Sequence, residues 1–286
     1  NSEARVPILG FNVPEAVLLT NGGESEYNSL QMVLSKRFSD NLQFNFAYTL
    51  SRSTDTNSVD PGSTAGGGRP DVPNAGFVVQ GDQRNLKSNR GLSDFDRTHR
   101  FSASFTYEIP TGGSRNRFAT GWQISGFFQA QSGTPFTVFS PEPEVASASQ
   151  YRDLVRGSGG LIRTGFGRPD FVCSSFEDAV SSYPTSGVDE SFINRNCFAS
   201  PLGQSGNLGR NTFRGPSQRR LDLGFVKRTR INERFSFDLG IDIFNVFNTV
   251  NLANPEADLS DVNNFGRISN TVGGPRLAQL RARFNF

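Results

Sequence analysis

Residue types that build many functional sites are scarce in this chain of 286 residues, which has one histidine (His99), one methionine, one tryptophan and two cysteines. A single histidine excludes metal sites built from several histidines, and it leaves no second histidine for a catalytic pair. His99 stands between Arg97 and Arg100, and no nucleophile with an orienting acid accompanies it in a recognisable motif. We therefore expect a structural hydrogen-bonding role for His99. We expect no enzymatic activity and no catalytic, cofactor-binding or metal-binding residues.

The chain also lacks long apolar runs and an excess of charge. No segment approaches the roughly 18 consecutive apolar residues of a membrane-spanning helix, and the mean hydropathy is −0.43. Lys and Arg total 29 and Asp and Glu total 27, so the net charge is only +2. A nucleic-acid-binding protein usually carries a marked basic excess. These absences exclude a helical membrane protein and indicate no nucleic-acid partner.

Phenylalanine, in contrast, is abundant. There are 27 Phe against 5 Tyr, although hydrophobic residues make up only 35% of the chain, which is less than in a typical globular domain. A β-barrel that shows apolar rings to lipid and polar groups to a wet interior has this kind of composition.

Alternation of apolar and polar residues predicts seven strands, because successive side chains of a strand point to opposite faces. The clearest run extends from Phe235 to Ile243. The runs begin near residues 26, 42, 100, 122, 220, 235 and 277. The fourth could continue as far as Val138.

The connections between these strands alternate between short polar turns and long loops. The long loops, rich in Gly, Ser, Asp, Asn and Pro, are 53–98, 140–217 and 248–276. Strands of about 10–14 residues, with all short turns at one end, are typical of outer-membrane barrels, whose long loops face the outside. We therefore predict an all-β fold, an antiparallel transmembrane β-barrel segment in the lipid of a bacterial outer membrane. Residues 1–25 would form an extracellular loop or the end of a preceding strand, and 26–286 the C-terminal part of the barrel.

Charged residues recur on the polar faces of the predicted strands. Because a charge that faces lipid is costly, these residues are expected to face the barrel interior. They are Arg100, Glu108, Arg220, Asp222, Asp238, Asp242, Arg281 and Arg283. Opposite charges on adjacent strands could pair. The polar face is either part of a translocation path or, as we prefer, a structural wall that hydrogen-bonds to a plug.

Cys173 and Cys197 lie in one long loop, 24 positions apart, with no other thiol in the chain. In an exported loop this arrangement predicts a disulfide. The alternative is that each is an unpaired, buried small hydrophobe.

Several segments resemble the C-terminal barrel half of TonB-dependent receptors. They are DFDRTHRF (94–101), GWQISGFFQAQSGTPFTV (121–138), FDLGIDIFNVFN (237–248) and FGRISNTVGGPRLAQLRARFNF (265–286). They are most similar to the Oar-like branch, whose members carry an N-terminal carboxypeptidase-regulatory-like domain. The final F-N-F, with Phe284 and Phe286, resembles the C-terminal insertion signal of bacterial outer-membrane proteins.

The resemblance implies a barrel of about 22 strands, of which this chain holds seven. Upstream residues or another chain would supply the remaining strands and the plug. TonB and the barrel-assembly machinery are the implied partners, and uptake or binding of a glycan, peptide or chelate is the implied function. Two alternatives stay open. One is a non-transporting surface protein for adhesion or assembly. The other is a soluble secreted β-sandwich, whose Phe-rich faces would be buried against a second sheet.

Overall fold

The computed structural model describes residues 22–56, 58, 86–113, 116–138, 168–180, 191–199, 206–259 and 261–286. The strands are β1 (Ser25–Ser39), β2 (Leu42–Asp55), β3 (Gly91–Leu92), β4 (His99–Glu108), β5 (Trp122–Gln131), β6 (Pro135–Phe136), β7 (Asp170–Phe171), β8 (Phe198–Ala199), β9 (Phe213–Arg214), β10 (Gln218–Arg230), β11 (Ser236–Phe244) and β12 (Leu277–Asn285). Short 3₁₀ turns occur at Leu86–Asn89, Phe176–Ala179 and Arg195–Cys197. In this described part of the chain, no helix is long and apolar enough to cross a membrane.

The long strands form one antiparallel sheet in the order β1-β2-β4-β5-β10-β11-β12, and the short strand β3 pairs with the end of β2. Each long strand pairs with the next long strand along the chain, so the sheet is a meander. The edges of the sheet are β1 and β12. The predicted all-β, antiparallel fold class is confirmed.

The register preserves the alternation from strand to strand. Leu223 pairs with Gly126 on one side and with Ile243 on the other, whereas the next residue, Gly224, pairs with Ser125 and Asp242. A slip of one residue would move every side chain to the opposite face. The sheet therefore has two chemically distinct faces, which we call the apolar face and the polar face.

The apolar face carries most of the large hydrophobic side chains of the sheet. They include Leu30, Met32, Leu34, Phe44, Phe46, Phe101, Phe105, Phe128, Leu221, Leu223, Phe225, Phe237, Leu239, Ile241, Ile243, Leu280 and Phe284. Many of them are exposed: Leu239 keeps 51% of its surface accessible and Leu280 keeps 76%.

The turn between β1 and β2 shows how the sequence sets the geometry. Asp40 and Asn41 adopt φ values of 52° and 62°, and Ser39 pairs with Leu42 across them. Two central residues with positive φ match the right-handed twist of a hairpin. Asp and Asn tolerate this left-handed conformation better than other residues with a side chain.

The short and long connections lie at opposite ends of the sheet. At the turn end, the Glu108 backbone N–H donates to the Asn41 carbonyl at 2.8 Å, so neighbouring short connections touch. At the loop end, the Asn251 side chain donates to the Arg219 carbonyl at 2.9 Å.

The structure corrects two predicted boundaries at the loop end. Strand β2 continues to Asp55, inside the predicted loop 53–98. Strand β5 ends at Gln131, so the extension to Val138 is wrong, and β6 pairs with β9 instead. The chain leaves the sheet where Gly133 approaches the Gly215 carbonyl too closely for any side chain to fit. In the predicted segment 1–25, residues 1–21 lie outside the described residues.

The buried hydrophobic core lies in the loops and not in the sheet. Its members are Phe136, Val138, Ala179, Phe192, Ile193, Cys197, Phe198, Leu208, Phe213, Leu252, Ala257, Leu259, Phe265 and Ile268. We use the name loop unit for residues 86–98, 132–138, 168–180, 191–199, 206–217, 245–259 and 261–276. The soluble β-sandwich alternative does not fit this arrangement. In the described residues, each of the other two sheets has only two strands, and the apolar face contributes nothing to this core.

Candidate functional site

The register places all the predicted interior charges on the polar face. They are Arg100 and Glu108 on β4, Arg220 and Asp222 on β10, Asp238 and Asp242 on β11, and Arg281 and Arg283 on β12. The orientation of this face toward a barrel interior stays a prediction.

Ion pairs link several of these charges. The Arg228 Nε lies 3.1 Å from an Asp238 oxygen, and the Arg281 Nε lies 3.3 Å from an Asp242 oxygen. Both pairs join adjacent strands, as the alternation suggested. A third pair, Arg220 with Asp222 at 2.7 Å, lies within β10. The polar face therefore carries charges of both signs side by side, which cancel over short distances.

His99 and the two terminal aromatic residues lie outside the buried core. The His99 Nδ1 lies 2.8 Å from the Tyr48 hydroxyl at the loop end of the sheet. Phe284 is on the apolar face, and its ring lies 5.7 Å from the ring of Phe235 and 6.5 Å from that of Phe286. Phe286 itself is 95% exposed. Their role as an insertion signal stays a prediction.

The loop unit is built around an aromatic cluster and a disulfide. The Phe198 ring packs edge to face against Phe213 at 5.6 Å and against Phe265 at 5.8 Å. Such arrangements favour the electrostatics of aromatic rings. The Cys173 and Cys197 sulfur atoms lie 2.03 Å apart in a disulfide. Segments that are distant in the chain thus share one core.

A buried ion pair and a hydrogen bond to a buried carboxylate fasten the loop unit to the sheet. Arg210 contacts the carboxylate of Asp55 at the end of β2, and the two side chains are only 4% and 5% exposed. Within the loop unit, Arg214 contacts the carboxylate of Asp96, which is almost fully buried. Asp96 also accepts the Ser53 backbone N–H at 2.6 Å. These contacts attach the loop unit to the last residues of β2.

Arg168 differs from these anchors because its buried charge has few partners. It is 6% exposed, and its Nη2 lies 3.5 Å from the Ser88 carbonyl. Among the described residues, its Nε and Nη1 atoms have no hydrogen-bond acceptor. Burial, and then the neighbouring positive charge of Arg210, lower the pKa of Arg168. An arginine in this state is suited to receive a negatively charged group.

A second polar feature lies at the turn end. An open cavity of about 380 Å³ is lined there by several basic and amide side chains, among them Arg117, Arg228, Arg230 and Asn232. Nearby, Lys227 extends from the apolar face and donates to the Arg117 carbonyl at 2.7 Å. Its ammonium group thereby reaches backbone carbonyls of the connection between β4 and β5, as long cationic side chains reach polar groups at membrane interfaces.

Sequence reasoning missed the charged residues of the loop unit. Arg168, Arg210 and Arg214 stand in segments without a period, and the hydrogen bond from Arg210 to Asp55 spans 155 positions. The sequence contains one local hint of these charged residues, the four-residue spacing of Arg210 and Arg214. This spacing does not identify the carboxylates that they contact.

A family model described as an outer membrane beta barrel domain matches residues 1–279. No curated protein and no solved structure matches the chain. The family match covers nearly the whole chain and agrees with a meander of long antiparallel strands that has one polar and one apolar face. The chain belongs to the outer membrane β-barrel domain family, and its location is the bacterial outer membrane.

Proposed function

We propose that this chain is the C-terminal barrel portion of a TonB-dependent receptor of the Oar-like type, which takes up or binds a ligand at the cell surface. The observation that carries the proposal is a folded loop unit at the loop end of a sheet whose polar face runs unbroken across seven long strands. In an outer-membrane barrel such a polar face lines the interior, and the apolar face contacts lipid. A structured unit at the mouth is placed to meet a ligand first.

The charges of the polar face favour the interpretation that this face is a structural wall that hydrogen-bonds to a plug. The charges of the pairs Arg228–Asp238 and Arg281–Asp242 cancel locally, and each pair joins two neighbouring strands. Paired side chains still have hydrogen-bonding capacity for a protein surface that packs against them. The polar face would then hold a plug in place, and ligand recognition would fall mainly to the loop unit.

The unpaired edges of the described sheet are evidence for a larger barrel. In the described residues, β1 and β12 each have a neighbour on one side only. Backbone groups that face lipid without a partner are costly, so a spanning sheet closes. We propose that β1 and β12 pair with further strands, from upstream residues or another chain, in a barrel of about 22 strands.

The proposal is tested in the bacterium that makes the natural protein, by following what the cells remove from a medium that contains peptides and oligosaccharides. The parent strain, a strain without this gene and a strain without functional TonB are compared by mass spectrometry of the medium. We expect the parent to deplete at least one compound that both mutants leave in the medium. Equal depletion by the parent and the gene-deletion strain would contradict the proposal.

A second candidate, a non-transporting surface protein, is favoured by one observation. Large apolar side chains of the loop unit are exposed, with Phe95 at 60%, Phe176 at 51% and Phe247 at 74%. Exposed aromatic residues are common where one protein surface binds another. If the gene deletion weakened attachment of cells to surfaces or to one another and left depletion of the medium unchanged, this second function would replace uptake.

A further inference from the structure

The backbone around Arg168 is firmly held by its neighbours in the loop unit. The Arg168 carbonyl accepts the Gly206 N–H at 3.0 Å, and the Pro169 carbonyl accepts the Leu208 N–H at 3.1 Å. The chain then enters β7, which pairs with β8. The fold therefore fixes the point from which the Arg168 side chain extends.

The Arg168 side chain leaves most of its donors unused. A guanidinium group carries five N–H donors, one on Nε and two on each Nη. Nη2 makes the long contact to the Ser88 carbonyl, whereas Nε and Nη1 have no acceptor in the part of the chain that the structure describes. Three N–H donors of a cation that is 6% exposed therefore lack an acceptor among the described residues. A buried cation in this state is costly to the fold, and such groups call for a specific explanation.

Arg210 shows that the same loop unit can satisfy a buried guanidinium. Arg210 donates through Nε to the Asn89 carbonyl at 3.0 Å, and through Nη2 to the Asp55 carbonyl at 2.7 Å. Its charge is also met by the carboxylates of Asp55 and Asp94. In the described residues, no carboxylate contacts Arg168. Arg168 and Arg210 donate to adjacent carbonyls of the Leu86–Asn89 turn, so they lie in the same place in the loop unit. They differ in their charge partners: among the described residues, Arg210 contacts carboxylates and Arg168 does not.

A second unpaired polar atom lies in this turn. The Oδ1 atom of Asn89 receives no hydrogen bond from the described residues, although Asn89 is only 4% exposed. A ligand that carries a hydroxyl beside an anionic group could serve both Asn89 and Arg168.

We propose that Arg168 is the cationic contact of an oxyanion-binding site in the loop unit, which takes the carboxylate or phosphate group of a small ligand. Carboxylate and phosphate oxygens accept charge-assisted hydrogen bonds from the fixed fork of a guanidinium. The small accessible fraction of Arg168 favours a compact group over an anionic polymer or a membrane surface. The site does not depend on the proposed transport function, because a surface protein without transport activity could use it equally.

Calorimetric titration tests the site with the full-length natural protein in detergent. Inorganic phosphate and acetate are the probes, and chloride at equal ionic strength is the control. We expect saturable binding of phosphate or acetate and none of chloride. The variant R168M should lose at least tenfold in affinity. The variant R90M should bind as the wild type does, because Arg90 is exposed and already paired with Glu24 and Glu26.

Two further measurements separate binding from folding. R168M removes an unsatisfied buried cation, so its loop unit should resist protease at least as well as that of the wild type. In the wild type alone, phosphate or acetate should slow hydrogen exchange in peptides that contain Ser88–Asn89 and Arg168. The proposal is overturned if the wild type shows neither saturable binding nor slowed exchange, or if a folded R168M binds as tightly as the wild type.

Discussion

At the scale of single residues, the attachment of the loop unit depends on buried charges that satisfy each other. Asp55 and Arg210 are both nearly inaccessible to solvent. The substitution D55N would leave the buried Arg210 charge with one carboxylate contact, the longer one to Asp94 at 3.4 Å. Removing one member of a buried pair usually lowers the free energy of unfolding by about 3–5 kcal/mol. Because the contact to Asp94 remains, we expect D55N to lower it by about 3 kcal/mol. Denaturant unfolding of the loop unit, followed by its protease sensitivity, measures this loss.

The matched control is D40N in the β1–β2 turn. Asp40 pairs with Lys36 at 3.6 Å, but its side chain is 90% exposed. Exposed pairs contribute little, so D40N should change the free energy of unfolding by less than about 0.5 kcal/mol. Equal effects of D55N and D40N would show that the buried pair does not anchor the loop unit.

The disulfide gives a second prediction at the residue scale. Closing a loop between residues 24 positions apart restricts the unfolded chain and should contribute on the order of 3 kcal/mol. We expect the double variant C173A/C197A to lose about this much stability in the loop unit, measured by the same denaturant and protease assay. Mass spectrometry of natively purified protein without reductant supplies the direct check, and two free thiols in that protein would refute the pairing.

At the scale of the strands, the central feature is the separation of the two faces. Leu223 lies on the apolar face between Gly126 and Ile243. If this face contacts lipid, the substitution L223R should destabilise the folded protein by about 2–4 kcal/mol near the bilayer midplane. Reversible unfolding from lipid vesicles measures the effect.

An arginine on the polar face provides the comparison for L223R. Gln123 lies on that face and pairs with Glu108 of β4. A new positive charge there would face an acidic neighbour and no lipid, so Q123R should cost little. If both arginine substitutions had the same cost, the two faces would not differ in environment.

The strands were the part of the fold that the sequence could predict. A two-residue period of apolar and polar side chains can be detected from neighbouring residues alone. It is visible in the sequences of β4 and β11 because one face of each strand is apolar and the other is polar. The loop unit could not be predicted in this way. Phe136, Phe192 and Phe265 stand in segments rich in Gly, Ser and Asn, and only the folded chain brings them into one core.

The candidate site was predictable to the same extent as the strands. The eight charges of the polar face followed from the alternation, because a face is defined by counting residues along a strand. No such counting rule identifies Arg168 from the sequence. The character of this arginine comes from its burial, from the charge of Arg210 and from the lack of acceptors around Nε and Nη1 among the described residues. These are properties of the folded surroundings.

At the scale of the whole molecule, the protein reverses the usual arrangement of a soluble domain. Its largest ordered element, the sheet, exposes its hydrophobic side chains, and its connecting loops contain the buried core. This arrangement is stable when lipid covers the apolar face and water surrounds the loop unit. The central claim is therefore that the two faces of the sheet meet different surroundings.

A nitroxide scan of β11 tests this claim most directly. Residues 236–243 are replaced one at a time by a spin-labelled cysteine in the full-length protein, which is placed in lipid vesicles. If the claim holds, collisions with oxygen, which concentrates in lipid, reach maxima at Phe237, Leu239, Ile241 and Ile243. The residues between them should show minima. Low oxygen accessibility at both sets of positions, or maxima at Asp238 and Asp242, would contradict it.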